Sequence, residues 1–248
     1  MLVRFKSAVC ILGLGTFLLP SVAQEAAKPQ RPPDGGARER LVNIFIPSQA
    51  NAPFTATVSA EWFRQLADGT TITLKNHRTI ARDRAGRIFQ ERRMPVPDDG
   101  KRESFVTRIE ISDPVAHTLY ICVPGEHVCR LETFSSPQFA PPPTGAGPNR
   151  EDLGQRSIDG VEVTGTLETR VIESGAMGND SPIVMKVESW YSPQLGVNLL
   201  TKRQDPRSGN QNFEVTDIVQ AEPDAKFFRV PSGYKVMDLR QANAAASR

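Results

Sequence analysis

The residues of this chain best placed to react with one another are Cys122 and Cys129, in the stretch Tyr120-Ile121-Cys122-Val123-Pro124-Gly125-Glu126-His127-Val128-Cys129-Arg130. A four-residue turn over 124–127 would pair Val123 with Val128 and set Cys122 directly across from Cys129. In a non-hydrogen-bonded antiparallel pair the facing Cβ atoms lie within reach of a disulfide. The same cysteines could in principle bind zinc together with His117 and His127, but their spacing fits no standard finger and no C-x-x-C redox motif occurs. The expected chemistry is a structural disulfide, with no metal site and no cofactor.

Nothing else in the chain spells out catalysis. No serine stands in G-x-S-x-G, and outside residues 1–23 there is no H-E-x-x-H, P-loop or dinucleotide glycine fingerprint. Asp98-Asp99-Gly100 reads as a turn and not as a general acid and base. No catalytic residue is assigned, and the chain reads as non-enzymatic. One hairpin is strongly basic, carrying Lys75, His77, Arg78, Arg82, Arg84, Arg87, Arg92 and Arg93. Arg78 and Arg82 share a strand face, whereas Arg92 and Arg93 point to opposite ones. With Asp83 and Glu91 among them, the expectation is a solvated sheet edge laced with cross-strand ion pairs, in preference to an anion or partner site.

The elements that position these residues are strands. Phe54-Thr55-Ala56-Thr57-Val58-Ser59-Ala60-Glu61-Trp62 alternates apolar and polar residues without a fault, the pattern of a half-buried strand. Asp68-Gly69 marks a hairpin turn before a strand at 71–75, and 78–82 and 87–94 flank a second turn at 83–86. Strands at 105–111, 118–123 and 128–133 follow. In the second half the strands are 160–172, 182–191, 196–202 and 211–219, and the apolar run Phe227 to Tyr234 closes the series. Gly165 inside the first of these predicts a bend or bulge. About ten strands joined by short turns, with few helices, predict one large curved antiparallel sheet, a half-barrel or open barrel. A curled sheet without helices to fill it keeps a cavity. Val58, Trp62, Val161, Val163 and Leu167 hold same-face positions within their strands and are the expected lining.

The surrounding segments bound the setting. Arg4 and Lys6 precede an apolar stretch at 8–19, Pro20 breaks it, and Ser21-Val22-Ala23 puts small residues at −3 and −1 of a cleavage site. These are the three regions of a secretory signal peptide over 1–23. Cleavage would remove Arg4 and Lys6 and no acid, taking the formal charge of +2 to zero. A neutral chain has no global attraction for nucleic acid or anionic membrane. The expectation is a soluble periplasmic or secreted protein whose two remaining cysteines meet an oxidising compartment. Residues 24–40 read as a flexible tether, 41–238 as a single β-rich domain and 239–248 as a mobile tail. Five of the 20 prolines fall in 137–148, within a surface loop read over 135–152.

The second half carries a resemblance. Gly160-Val161-Glu162-Val163-Thr164-Gly165-Thr166, the turn Trp190-Tyr191-Ser192-Pro193, Val215-Thr216-Asp217-Ile218, Glu222-Pro223-Asp224 and the end Phe228-Arg229-Val230-Pro231-Ser232-Gly233-Tyr234 are similar to exported bacterial proteins that look like the lipoprotein-carrier (LolA-like) half-barrel superfamily. The resemblance implies a curved sheet wrapped around an apolar cavity, and a bacterial envelope. No segment here reads as the lid helices of that family. Together these readings predict a non-enzymatic envelope protein that binds an apolar ligand, a lipid or a lipoprotein in the concavity of its sheet. The alternative is a structural or interaction module with a filled core, engaging an envelope protein.

Overall fold

The computed structural model describes residues 44–135 and 149–240. The segments read as signal peptide and tether, and most of the proline-rich loop and tail, lie outside the described residues. Two meanders make up the sheet. The first runs through β1 (Phe54–Gln65), β2 (Thr71–Arg82), β3 (Ile88–Arg93), the short β4 (Val96–Pro97), β5 (Val106–Asp113), β6 (Thr118–Val123) and β7 (Val128–Thr133). The second runs through β8 (Asn149–Ile158), β9 (Val161–Ile172), β10 (Ile183–Ser192), β11 (Val197–Gln204) and β12 (Asn210–Val219), and the chain ends in β13 (Lys235–Asp238). All belong to one open, curved sheet in the order β13-β7-β6-β5-β3-β2-β1-β12-β11-β10-β9-β8, with β4 paired to β2. Every pairing is antiparallel except that of β13 with β7. The helical elements lying wholly within the described residues are 3-10 turns at Pro124–Glu126 and Ala225–Phe228.

β1 is the centre of this arrangement. Its alternation holds as read: Phe54, Ala56 and Val58 are buried while Ser59 is exposed. The register sets Ala56 against Ile80 of β2 and Val58 against Val215 of β12, so one face of three strands is apolar. That face feeds a core cluster with Ile88, Phe213, Leu199 and Val197, and also with Ile44 and Ile46 ahead of the first strand. Arg82, fully buried, fastens this leading segment: its Nε donates to the Ala52 carbonyl at 2.9 Å and its Nη1 to the Pro47 carbonyl at 3.0 Å. A smaller cluster gathers Ala81, Phe89, Ile111 and Phe228.

The structure departs from the sequence reading in several places. The strands expected at 71–75 and 78–82 are one continuous strand, because His77 and its neighbours keep the ladder with β1 unbroken. β8 begins at Asn149, inside the segment read as a loop. It is a sheet edge with its first four residues exposed, so it has no apolar alternation to betray it. Phe227 to Tyr234 is no strand. The chain turns through 3-10 geometry where the Asp224 carboxylate accepts from the Lys226 N–H at 2.9 Å, and Pro231 offers no ladder donor. The expected hairpin at 118–133 is present with Cys122 opposite Cys129.

Candidate functional site

The register that buries Val58 also builds a groove beside it. Continuing along the same face, Ala60 and Trp62 of β1 sit opposite Phe213 and Gln211 of β12 on one side, and opposite Asn76 and Leu74 of β2 on the other. One strand further, Arg92 of β3 faces Arg108 of β5 directly. These residues, with Glu61, Arg78, Arg93, Pro95 and Thr107, line a groove of about 500 Å³. That lies within the range of small-molecule sites, about 300–1,000 Å³.

Each lining side chain is held by a neighbour. The Trp62 indole Nε1 donates to the Ser208 carbonyl at 2.9 Å, in the turn between β11 and β12. Gly209 in that turn has φ +89°, and a Cβ there would meet the Phe63 carbonyl at 2.7 Å. Only glycine lets the turn approach the tryptophan so closely. The Arg78 guanidinium lies 5.8 Å from the Phe213 ring centroid, within cation–π range, and its Nη1 donates to Asn76 Oδ1 at 3.4 Å. Arg92 donates to the Glu110 carboxylate from Nε at 3.2 Å and from Nη2 at 2.8 Å, while Arg108 reaches the other oxygen of Glu110 at 2.8 Å.

The basic hairpin is therefore not the solvated edge that its composition suggests. Arg78 is 3% exposed, and Arg82 is fully buried. Burial, and then the positive charge of Arg92, push the Arg78 pKa down to about 9, with Glu110 acting in the opposite direction. Of the cross-strand ion pairs expected there, Arg92 of β3 meets Glu110 of β5 at 2.8 Å, whereas Arg93 pairs along its own strand with Glu91 at 2.9 Å and Arg87 pairs within the turn with Asp83 at 2.6 Å. The hint in the sequence was the face shared by Arg78, Arg82 and the apolar Ile80. An arginine on an apolar face is either clamped to backbone, as Arg82 is, or lines a site.

Of the residues expected to line a cavity, Trp62 lines this groove. Val58, Val161 and Val163 are packed in the core cluster together with Trp190. Leu167 is half-buried on β9 opposite Glu188. Leu74, Arg78, Arg92, Arg108 and Phe213 line the groove without having been singled out as site residues. Leu74, Arg78, Arg92 and Arg108 are brought together by the pairing of β2, β3 and β5, and Phe213 joins them through β12 pairing with β1, none of which periodicity within one strand shows.

Elsewhere the two cysteines are joined, with Cα atoms 3.9 Å apart. His127 packs on Tyr234, ring centroids 5.4 Å apart. Among the described residues no group of three or more His, Cys, Asp or Glu side chains is placed to hold a metal ion. No helix among them is long and apolar enough to cross a membrane.

No protein-family model matches this sequence, and no curated protein matches it significantly. Similar solved structures include an uncharacterized conserved protein from Thermus thermophilus, at 12% identity over 75% of this chain and 90% of that one, with a TM-score of 0.41. Another is the MucA/MucB complex of Pseudomonas aeruginosa, at 13% identity over 77% of this chain with a TM-score of 0.41; this chain spans 59% of the matched chain there, under two thirds of it. A third is a LolA superfamily protein from Nitrosomonas europaea, at 9% identity over 72% of this chain and 90% of that one, TM-score 0.29. The half-barrel superfamily named from the sequence thus has a namesake among these neighbours.

Proposed function

We propose that this chain is a non-enzymatic protein of the bacterial envelope, exported by cleavage after Ala23, which holds an apolar ligand or the apolar part of a lipidated partner in the groove beside Trp62. The observation that supports it best is the groove itself: about 500 Å³ of space flanked by Trp62, Leu74 and Phe213, next to the core cluster. An apolar body laid there leaves water for aromatic and aliphatic surface, at roughly 25 cal/mol per Å² buried. Val58, Val161 and Val163 would serve this site as the packed support behind it.

The test is displacement of a fluorescent fatty-acid probe from protein purified out of its own periplasm, where intact mass should begin at Gln24. Wild type should bind the probe at micromolar concentration. Leu74→Glu should weaken binding by about tenfold or more while the fold survives, since a carboxylate would enter the apolar end of the groove. Val163→Asp should instead melt the protein, being a charge placed in the core. A folded wild type that binds no probe would hand the reading to the interaction module, and a mass that retains residues 1–23 would remove the export.

A further inference from the structure

The groove is not uniformly apolar: beside Trp62, Leu74 and Phe213 it is lined by four arginines and by Glu61, Asn76 and Gln211. Reading across the strands, β12 contributes Phe213, β1 contributes Trp62 and β2 contributes Leu74 and then Arg78, while β3 and β5 contribute Arg92 and Arg108. Five strands at about 4.8 Å spacing make a track of roughly 19 Å, with Arg92 and Arg108 on β3 and β5 at one end, Phe213 on β12 at the other, and Arg78 between them, its guanidinium 5.8 Å from the Phe213 ring.

The cationic end is built at a loss to the empty protein. Arg92 and Arg108 are placed directly opposite one another, a like-charge pair that destabilises a ladder. Both lean on Glu110, whose charge also acts on Arg78, so three guanidiniums gather about one carboxylate. Arg78 is 3% exposed, where water cannot screen it. Arg92 keeps its Nη1 buried and without an acceptor among the described residues. Each of these features is relieved by one arrival, a ligand oxyanion.

We propose that the ligand of the groove is an amphiphile with an oxyanion head, carboxylate or phosphate, held by Arg78, Arg92 and Arg108 while its apolar body lies along Leu74, Trp62 and Phe213. This assignment rests on the groove being the binding site and adds the chemistry of what it selects. Guanidinium forks suit carboxylate and phosphate alike. The apolar end gives the head no reason to stay unless a chain follows it.

Four ligands of matched design separate the outcomes, each competing with the fluorescent fatty-acid probe below its aggregation concentration: dodecanoate, dodecyl phosphate, dodecan-1-ol and inorganic phosphate. The two anionic chains should compete at least about tenfold better than the alcohol, because charge-assisted hydrogen bonds are lost with the head. The better of the two names the head. Inorganic phosphate should not displace the probe at concentrations where dodecyl phosphate does. Arg78→Met should bring alcohol and anions to within about twofold of each other; Arg108→Gln, at a side chain 43% exposed, serves if the first variant fails to fold. If the alcohol equals the anions in wild type, the headgroup assignment is overturned while the apolar site stands. If phosphate alone competes as well as dodecyl phosphate, the amphiphile is overturned in favour of a simple anion site. If no chain competes, the apolar site falls and the headgroup assignment with it.

Discussion

Two arginines on one face of β2, Arg78 and Arg82, are both buried and both carry a depressed pKa, about 9 and about 10. Both still keep their proton at neutral pH, so both cost the folded state desolvation. They differ in what they receive. Arg82 donates to two backbone carbonyls and lies 5.0 Å from the Phe54 ring centroid, which turns it into a clamp on the leading segment. Arg78 donates a 3.4 Å hydrogen bond to Asn76, lies by the Phe213 ring and is drawn to Glu110, but it faces the like charge of Arg92. Substitution by methionine should therefore move stability in opposite directions. Arg78→Met should stabilise by about 1–4 kcal/mol, as when a buried charge gives way to an apolar side chain of similar size. Arg82→Met should destabilise by about 1–3 kcal/mol, because two carbonyls lose their donors. Urea denaturation of the two variants decides it, and two shifts of the same sign would break the distinction. The pH dependence follows the same sign. An unfolded arginine stays protonated far into the alkaline range whereas folded Arg78 releases its proton near 9, so its penalty fades as pH rises above 9. Wild type should lose less stability than Arg78→Met between pH 9 and the alkaline limit.

Among the elements, β9 shows how a sheet bends where one residue permits it. Gly165 faces Trp190 of β10, and a Cβ there would lie 2.7 Å from the indole ring and 2.8 Å from Leu153 Cβ. The neighbouring ladder shifts register between Asp152 and Gly154, and that of β10 with β11 shifts between Trp190 and Tyr191. The missing side chain is thus filled by a tryptophan, which in turn receives Arg156 at 3.8 Å from its ring centroid. Gly165→Ala should destabilise by about 1–3 kcal/mol through overpacking, read as a lowered thermal midpoint with the near-ultraviolet tryptophan signal altered. An unchanged midpoint would mean that the ring has room to move. The Cys122–Cys129 register and the alternation of β1 were legible in the sequence, because each depends on residues within one hairpin; the bulge expected at Gly165 falls on the facing strand, where β8 shifts register between Asp152 and Gly154. What was not legible shares a cause. β8 is mostly exposed, and only Leu153 and Ile158 pack against the core, too few to mark a pattern. β4 is two residues long. Arg78 lies by Phe213, far along the chain, and a composition that reads as a wet edge belongs to an internal strand flanked by β1 and β3.

At the scale of the whole molecule, the two meanders meet only along β1 and β12, and the bonds that cross this seam join residues such as Trp62 and Ser208 or Glu61 and Asn212, 146 and 151 positions apart. Every other neighbouring pair in the sheet, the short edge β13 aside, joins strands that follow closely in sequence. The seam should therefore close late in assembly, since closing so long a loop must precede any contact that rewards it. The groove straddles that seam, with Trp62 on one bank and Phe213 on the other. Gln211 and Phe213 of β12 complete a groove whose other lining residues lie on or beside β1 to β5, so the finished groove is also a record that the chain has finished folding. A chain cut between Ser135 and Asn149 gives two pieces that should each stay dark to a groove-binding probe and light it when mixed, at a rate proportional to their concentration. A single piece that binds the probe unaided would show that the seam is not what completes the site.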